Sequence, residues 1–258
     1  MSEDCNRTPF WQRQPLLPRE VQDFLRARIE AALADPTSRR DLVWPTVLGA
    51  ARLREAHPGG LPEPLLLQHS ARMLGALGQQ DPARLWAEHR AAWPDTAERG
   101  PEGWRPSVTW GAWGPLVSLR SGWQLAALTP LDQGDGYALA CGVSLFNHGL
   151  FHECHDALEP LWAQAAGELR ECLQGLILMA GGYHHLQMHN QPGMLALWEE
   201  SVTRLRPCGG SFSTPWGRVK AEAALDLTAQ RLDHGVRIDE GADFTPFWAL
   251  DRPTWELA

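Results

Sequence analysis

Histidines are concentrated in one part of the C-terminal half of this sequence. Of the 10 histidines in 258 residues, six fall between positions 148 and 189. They are His148, His152, His155, His184, His185 and His189. Imidazole is the commonest side-chain ligand for transition metals, and it exchanges a proton near neutral pH. This stretch is therefore the first candidate for a metal or catalytic site.

Two carboxylates, Asp156 and Glu159, lie at helical spacing from His152 and His155. His152, His155, Asp156 and Glu159 share one face of a helix predicted over residues 151–163, because they occupy positions i, i+3, i+4 and i+7. Imidazoles and carboxylates on one helix face can form a divalent metal site inside a bundle. A solvated amphipathic helix shows the same pattern. The residue order does not match the H-E-x-x-H zinc motif.

The axial positions of the histidines favour a different set of ligands. If the predicted helices 151–163 and 168–189 form an antiparallel hairpin, His148, His152 and His184 lie at one level. At a rise of about 1.5 Å per residue, His184 would lie about 12 Å along the axis from His155. That separation is too large for one mononuclear site. Their axial positions therefore favour His148, His152 and His184 as the three ligands of one metal.

A longer pattern surrounds these residues. The segment LFNHGLFHECHDALEPLW at 145–162 precedes LQGLI at 173–177, Tyr183-His184 and Asn190-x-x-Gly193. This pattern resembles the domain-of-unknown-function family 309. The resemblance covers about residues 137–206, and it implies an all-α helical bundle with a shared polar centre and no known activity. The residues that we assign to this centre are Glu153, His155, Asp156, Glu159, Trp162, His184 and Asn190.

Three positions depart from the family pattern. Asp156 replaces the usual Glu, Leu178 stands where Gln is frequent, and His189 stands where Gly is frequent. The polar network of this chain is therefore expected to differ from that of the family. Residues 1–130 show no resemblance to a known family.

Three interpretations of the polar face remain open at this point. A buried structural network would hold His155 and Glu159 through hydrogen bonds. A solvated face would have no specific role. A metal or catalytic site would use a divalent ion as its cofactor, with ligands drawn from His148, His152, His155, Glu159 and His184.

Two functions follow from these interpretations. The first is a helical module that binds a ligand or a partner, with the His/Glu centre stabilising its core. The alternative is a metal-dependent, hydrolase-like enzyme in which His and carboxylate ligands hold the ion and a further Glu acts as general base. A catalytic role for Cys154 is not expected, because adjacent helix residues such as Cys154 and His155 point about 100° apart.

The elements that would position these residues are almost entirely helical, so the expected fold class is all-α. Helices are predicted over residues 18–36, 45–57, 63–77, 81–93, 137–147, 151–163, 168–189, 194–204 and 216–234. Residues 94–130 are rich in Trp, Pro and Gly, and only a short hairpin near 108–119 is predicted there. Turn-forming residues at 131–136 mark the expected boundary between an N-terminal helical region, 1–130, and a C-terminal bundle, 131–258.

Aromatic residues near that boundary need a surface to bury them. Trp104, Trp110, Trp113 and Trp123 lie in the irregular segment, and the C-terminal tail adds Phe247, Trp248 and Trp255. Exposed aromatic surface of this extent is costly. We therefore expect an aromatic seam between the two halves, with the tail extended across the bundle.

Charge and cysteine content exclude some classes of protein. Residues 130–258 contain 8 basic and 17 acidic residues, so nucleic acid is not an expected partner. The five cysteines are widely separated, which favours reduced thiols over a disulfide framework. No leader pattern and no apolar run of spanning length is present. We expect a cytoplasmic protein that avoids membranes and binds a protein partner or a second copy of itself.

Overall fold

The computed structural model describes residues 17, 19–107, 110, 113–128, 131, 134–233 and 253–258. Eleven α-helices and two small antiparallel sheets run through these residues. The prediction of an all-α helical protein is confirmed. The chain divides into two compact units, of which one contains Leu17–Pro130 and the other Leu131–Ala258. Among the described residues, no helix has both the length and the apolar composition that a bilayer span requires.

The N-terminal unit contains six α-helices and one two-stranded sheet among its described residues. The helices are α1 Arg19–Ala34, α2 Val43–Leu48, α3 Ala51–Ala56, α4 Glu63–Ala76, α5 Pro82–Ala92 and α6 Gly114–Leu128. Short 3₁₀ helices span Pro36–Leu42 and Pro94–Thr96, and strands β1 Ala97–Arg99 and β2 Trp104–Pro106 pair antiparallel. The predicted cap of α5 is present, because the Asp81 side chain accepts a hydrogen bond from the Arg84 amide at 3.1 Å. The single helix predicted over 45–57 is two helices, α2 and α3.

The hairpin predicted near residues 108–119 is wrong. Residues 114–128 form α6, in which Val117, Ser121, Leu125 and Leu128 recur at helical spacing and are buried. Small and apolar residues at that spacing bury one helical face, and this packing outweighs the Gly and Pro residues around them. The strands of this region lie earlier, at β1 and β2.

Tryptophans of the irregular segment pack inside the N-terminal unit. Trp104 lies edge-on to Trp86 with ring centroids 5.2 Å apart, and Trp110 lies edge-on to Phe24 at 5.0 Å. Both rings are therefore buried by their own unit, so neither needs the seam expected from the sequence. Phe247 and Trp248, which the seam also required, lie outside the described residues.

The C-terminal unit is a helical bundle with a small sheet. Its helices are α7 Tyr137–Asn147, α8 Phe151–Gln164, α9 Gly167–Gln187, α10 Gln191–Leu205 and α11 Glu222–Asp233, and its strands are β3 Ser211–Thr214, β4 Gly217–Lys220 and β5 Glu256–Leu257. Two glycines let α10 approach α9 closely. A Cβ at Gly182 would lie 2.3 Å from the Trp198 ring, and one at Gly175 would lie 2.6 Å from Leu205. The centre of the bundle is therefore α9, with α8 and α10 packed on it.

The last predicted helix begins six residues later than expected. Residues 211–220 form a β-hairpin with Pro215 and Trp216 in its turn, and α11 starts at Glu222. The sequence Ser213-Thr214-Pro215 resembles a helix cap, but the Thr214 hydroxyl instead accepts a hydrogen bond from the Trp216 amide at 3.0 Å inside the turn. A hydroxyl that stabilises a turn is not available to cap a helix.

The end of the chain is fixed against α7. Strand β5 pairs antiparallel with β4, and the Trp255 ring stacks on Phe146 at 3.8 Å. The Asn147 side chain donates to the Trp255 carbonyl at 2.8 Å and accepts from its amide at 2.9 Å. The extended tail predicted from the sequence is observed for residues 253–258, whereas residues 234–252 lie outside the described part of the chain.

Candidate metal centre

The candidate ligands lie on the outward side of α8. This helix follows a turn at Gly149, whose φ of 73° suits glycine, and it buries Phe151, Cys154, Leu158 and Leu161 against the bundle. Positions between these apolar residues place the four polar side chains on the opposite face, as the spacing predicts. The side chains of His152, His155 and Glu159 are 44%, 38% and 56% exposed, and that of Asp156 is 9% exposed.

Asp156 connects the two histidines of α8. Its Oδ2 lies 3.2 Å from Nδ1 of His152, and its Oδ1 lies 3.3 Å from Nδ1 of His155. The contact with His155 is a hydrogen bond, and because an ionised carboxylate can only accept, Nδ1 of His155 donates to it. In the neutral His155 ring, the other nitrogen, Nε2, then carries a lone pair.

The carboxylate is ionised at neutral pH. Burial alone would raise the pKa of Asp156, but the hydrogen bonds from His152 and His155 and their positive charge outweigh burial and lower this pKa well below its ordinary value of 3.8. A mostly buried anion that accepts from His155 and lies at ion-pair distance from His152 holds both rings beside it.

His155 and Glu159 form the opening of the centre. Nε2 of His155 lies 3.7 Å from Oε1 of Glu159. Two ligand atoms that are each about 2.0–2.2 Å from a tetrahedral zinc ion lie about 3.3–3.6 Å apart. The observed separation is within a few tenths of an ångström of that span. In the described part of the chain, His155, Asp156 and Glu159 are the metal-capable group whose donor atoms all lie within 4.8 Å of one another.

The trio predicted from axial level is formed only in part. The rings of His152 and His184 meet edge to face with centroids 5.1 Å apart, as their common level predicts. Nδ1 of His148 lies 2.7 Å from the Ser144 carbonyl, and among the described residues the donor atoms of His148, His152 and His184 do not all come within 4.8 Å of one another. The hairpin of α8 and α9 thus brings His152 and His184 together, while α8 alone gathers His155, Asp156 and Glu159.

Three further residues of the expected polar centre lie apart from this opening. Glu153 is buried, with 3% of its surface exposed. Trp162 lies under the Arg170 guanidinium, which is 3.8 Å from its ring centroid. Asn190 caps α10 by accepting from the Gly193 amide at 3.2 Å. We assign packing and capping roles to Trp162 and Asn190.

Cys154 is buried in the same helix, in surroundings that disfavour its thiolate form. Burial, followed by the charges of Glu153 and Asp156, raises the pKa of its thiol well above the ordinary value. The protonated thiol is therefore favoured at neutral pH.

Two supporting contacts are visible only in the structure. Gln187 is buried on α9 and donates to the Gly149 carbonyl at 2.8 Å, which ties the turn before α8 to α9. His185 accepts from the Asn190 amide at 2.8 Å, and burial lowers the pKa of its ring. Asp156 is expected from the sequence in the polar centre but not among the metal ligands, although it touches both histidines. No simple spacing rule identifies these contacts.

Comparison with protein families agrees with the resemblance noted in the sequence. Residues 139–197 match the family described as Domain of unknown function (DUF309). This DUF309 segment comprises most of α7, all of α8 and α9, and the first half of α10, so it contains the whole candidate centre. The N-terminal half of the chain matches no family. No curated protein and no solved structure matches this chain.

Proposed function

We propose that this protein is a helical binding module that holds a divalent transition-metal ion at the outward face of α8. His155 Nε2 and the Glu159 carboxylate bind the ion directly, Asp156 orients His155, and water occupies the remaining positions. The single observation that supports this proposal most strongly is the separation of 3.7 Å between His155 Nε2 and Glu159 Oε1. It combines the ligand-binding and metal hypotheses derived from the sequence.

The position of Asp156 supports the same assignment. Metal-binding histidines usually donate their second ring N–H to a carboxylate, which fixes the tautomer and makes the ligand nitrogen more basic. Asp156 provides this contact to His155 at 3.3 Å from an almost buried position. The exposure of Glu159 argues against a buried structural network at that residue, because 56% of its side chain is in contact with solvent.

An enzymatic role for the same ion is the second candidate. Catalytic metal sites keep a coordination position open for water or substrate. The exposure of His155 and Glu159 leaves such positions accessible. Metal-dependent hydrolysis of a small ester or phosphoester would support this candidate if it disappears in His155→Ala and persists in His69→Ala.

The metal proposal is tested by isothermal titration calorimetry with Ni²⁺ and by thermal unfolding. We expect one Ni²⁺ per chain at the α8 centre and at least a tenfold loss of affinity in His155→Ala and in Glu159→Ala. His69→Ala, which removes an exposed histidine of α4, is the control and should bind as the wild type. At a free metal concentration of 100 times Kd, binding should raise the free energy of unfolding by about 2.7 kcal/mol. Unchanged affinity in both α8 variants would refute the proposal.

We further propose that the protein acts in the cytoplasm, away from nucleic acid and membranes, with a protein partner or a second copy of itself. The acidic balance of residues 130–258 supports the exclusion of nucleic acid. Size-exclusion chromatography with light scattering tests whether the chain binds a second copy of itself. A binding assay on labelled DNA and RNA tests the exclusion of nucleic acid.

A further inference from the structure

A cavity of about 540 Å³ lies in the N-terminal unit. Its described lining comes from α2, α3, the turn before α4, the β1–β2 sheet and the start of α6. Part of its wall is apolar, because Val47, Leu48 and Leu61 line it and are each only 4% exposed. Proteins usually bind small molecules in cavities of this size that combine an apolar wall with a few polar groups. The polar groups of the lining therefore indicate what chemistry this cavity can recognise.

Arg54 of α3 is a charged residue of this lining without a counter-ion. It is half-buried, and its side chain forms no ion pair or hydrogen bond with another described residue. Two glutamates line the cavity, but neither pairs with Arg54: Glu98 lies 2.7 Å from Arg105, and Glu55 is exposed. A guanidinium carries several N–H donors and no acceptor, so a partly desolvated one needs an anion or another acceptor. The part of the chain that the structure describes supplies none.

The position of the Arg54 guanidinium is a second, independent indication of an anion. A Cβ at Gly114, the first residue of α6, would lie 2.6 Å from Nη1 of Arg54 and 3.3 Å from its central carbon. The guanidinium therefore occupies the space that a side chain at Gly114 would fill. The amino end of a helix carries a partial positive charge, so a cation placed there is unfavourable unless an anion accompanies it. The guanidinium and the helix end thus favour a negative ligand at the same place.

We infer that this cavity binds a small carboxylate that carries an apolar group. The carboxylate accepts hydrogen bonds from Arg54, because the planar fork of a guanidinium matches both carboxylate oxygens. The apolar group packs against Val47, Leu48 and Leu61, and His57 of the same lining can donate a further N–H. A simple anion such as phosphate would leave the apolar wall uncovered. This site lies in the N-terminal unit and does not depend on the proposed function of the α8 centre.

Titration of the ¹⁵N-labelled full chain with hexanoate, followed by NMR, tests the inference. We expect saturable shifts of the backbone amides around the cavity, and at least tenfold tighter binding of hexanoate than of acetate because buried methylene groups add affinity. Hexanamide, which has nearly the same shape but no charge, should bind at least tenfold more weakly than hexanoate. Arg54→Gln should weaken hexanoate binding to a similar extent. Arg72→Gln, which removes an exposed arginine of α4, is the matched control and should bind hexanoate as the wild type does.

Gly114→Ala separates the position of the guanidinium from its charge. The new Cβ would displace the end of the flexible Arg54 side chain, so we expect weaker hexanoate binding at a free energy of unfolding close to that of the wild type. If Gly114→Ala unfolds, Arg54→Gln and the comparison of hexanoate with hexanamide on the wild type still decide the question.

Four results would overturn the inference. They are equal affinities for hexanoate and hexanamide, full hexanoate affinity in Arg54→Gln, binding of hexylammonium as tight as that of hexanoate, and shifts that spread over the whole chain without saturation. Hexanoate binding no tighter than that of acetate or inorganic phosphate would also overturn it, in favour of a site for simple anions. His155→Ala should bind hexanoate as the wild type does, whatever its effect on Ni²⁺.

Discussion

Replacing Asp156 with Asn should change the tautomer of an α8 histidine while preserving the helix. In the wild type, one carboxylate oxygen accepts the Nδ1–H of His155 at 3.3 Å, and the other oxygen lies 3.2 Å from Nδ1 of His152. An amide of the same shape has one acceptor oxygen and one NH₂ donor. The ring that faces the NH₂ group should therefore present a lone pair at Nδ1 and carry its proton on Nε2, and this Nε2 cannot bind a metal.

The expected loss of stability in Asp156→Asn follows from the solvent exposure of His152 and His155. Each histidine side chain is about two-fifths exposed, so the hydrogen bond from His155 and the ion-pair contact with His152 each contribute about 0.5–1 kcal/mol rather than the larger value of a buried charged pair. We expect Asp156→Asn to lower the free energy of unfolding by about 1–2 kcal/mol. Loss of a carboxylate that orients a metal-binding histidine typically weakens metal affinity by about 10–100-fold.

The stability difference between the wild type and Asp156→Asn should change with pH in a defined direction. A carboxyl whose pKa is lowered in the folded state stabilises the fold above its ordinary pKa, and this stabilisation is lost as pH falls through the lowered pKa. The stability advantage of the wild type over Asp156→Asn should therefore decline as pH falls below the ordinary pKa of 3.8 and through the lowered pKa of the folded state.

Two measurements test this prediction. Long-range ¹H–¹⁵N NMR correlations report which ring nitrogen of each histidine is protonated, and urea denaturation at several pH values reports stability. Asp156→Glu is the control, because it keeps the charge and matches the residue usual in the family pattern. If Asp156→Asn leaves both histidine tautomers and the Ni²⁺ affinity unchanged, the orienting role assigned to Asp156 is refuted.

Two further predictions concern packing and buried charge. Gly182→Ala should lower the free energy of unfolding by about 1–3 kcal/mol in chemical denaturation, because its Cβ would lie 2.3 Å from the buried Trp198 ring. Gly75→Ala, whose Cβ meets nothing within 4 Å, should be neutral or stabilising, and equal losses in both variants would contradict the role of close packing at Gly182. Asp41→Asn should lower the free energy of unfolding by about 2–3 kcal/mol. Arg28 Nη1 lies 2.5 Å from the Asp41 carboxylate, and the Arg28 side chain is only 11% exposed. A loss below about 0.5 kcal/mol in thermal or urea unfolding would show that this ion pair is not stabilising.

The helices that carry the site could be predicted from sequence because their signals are local. Apolar residues at spacings of three and four define α8 and α9, and the fixed rise of a helix predicts that His152 and His184 meet. His148 is expected at the same level, but its ring contacts the backbone carbonyl of Ser144, and axial level alone does not specify such a contact.

Capping signals were reliable only where the following residues continued a helix. Asp81 precedes Pro82 at the start of α5 and caps it. The similar sequence at Ser213–Pro215 leads into a turn at Gly217, whose φ of 139° cannot continue a helix. Short capping patterns therefore do not distinguish a helix start from a hairpin turn.

The central contact of the site could not be predicted from helix geometry. Neighbouring positions such as His155 and Asp156 point about 100° apart on an ideal helix, and pairs at i, i+1 are not expected to interact. The structure nevertheless brings Nδ1 of His155 to 3.3 Å from Asp156, because each side chain turns toward the other around the helix surface. Side-chain rotamers decide such contacts, and residue spacing does not specify them.

The most direct test of the metal assignment is crystallographic. Crystals of the full chain, soaked or grown with Ni²⁺, should be measured at the nickel absorption edge and compared with crystals of His155→Ala. We predict an anomalous difference peak about 2.0–2.2 Å from both His155 Nε2 and a Glu159 oxygen, with Asp156 still bound to His155 Nδ1. No peak on α8 in the wild type, or a peak of equal height at the same position in His155→Ala, would contradict the assignment.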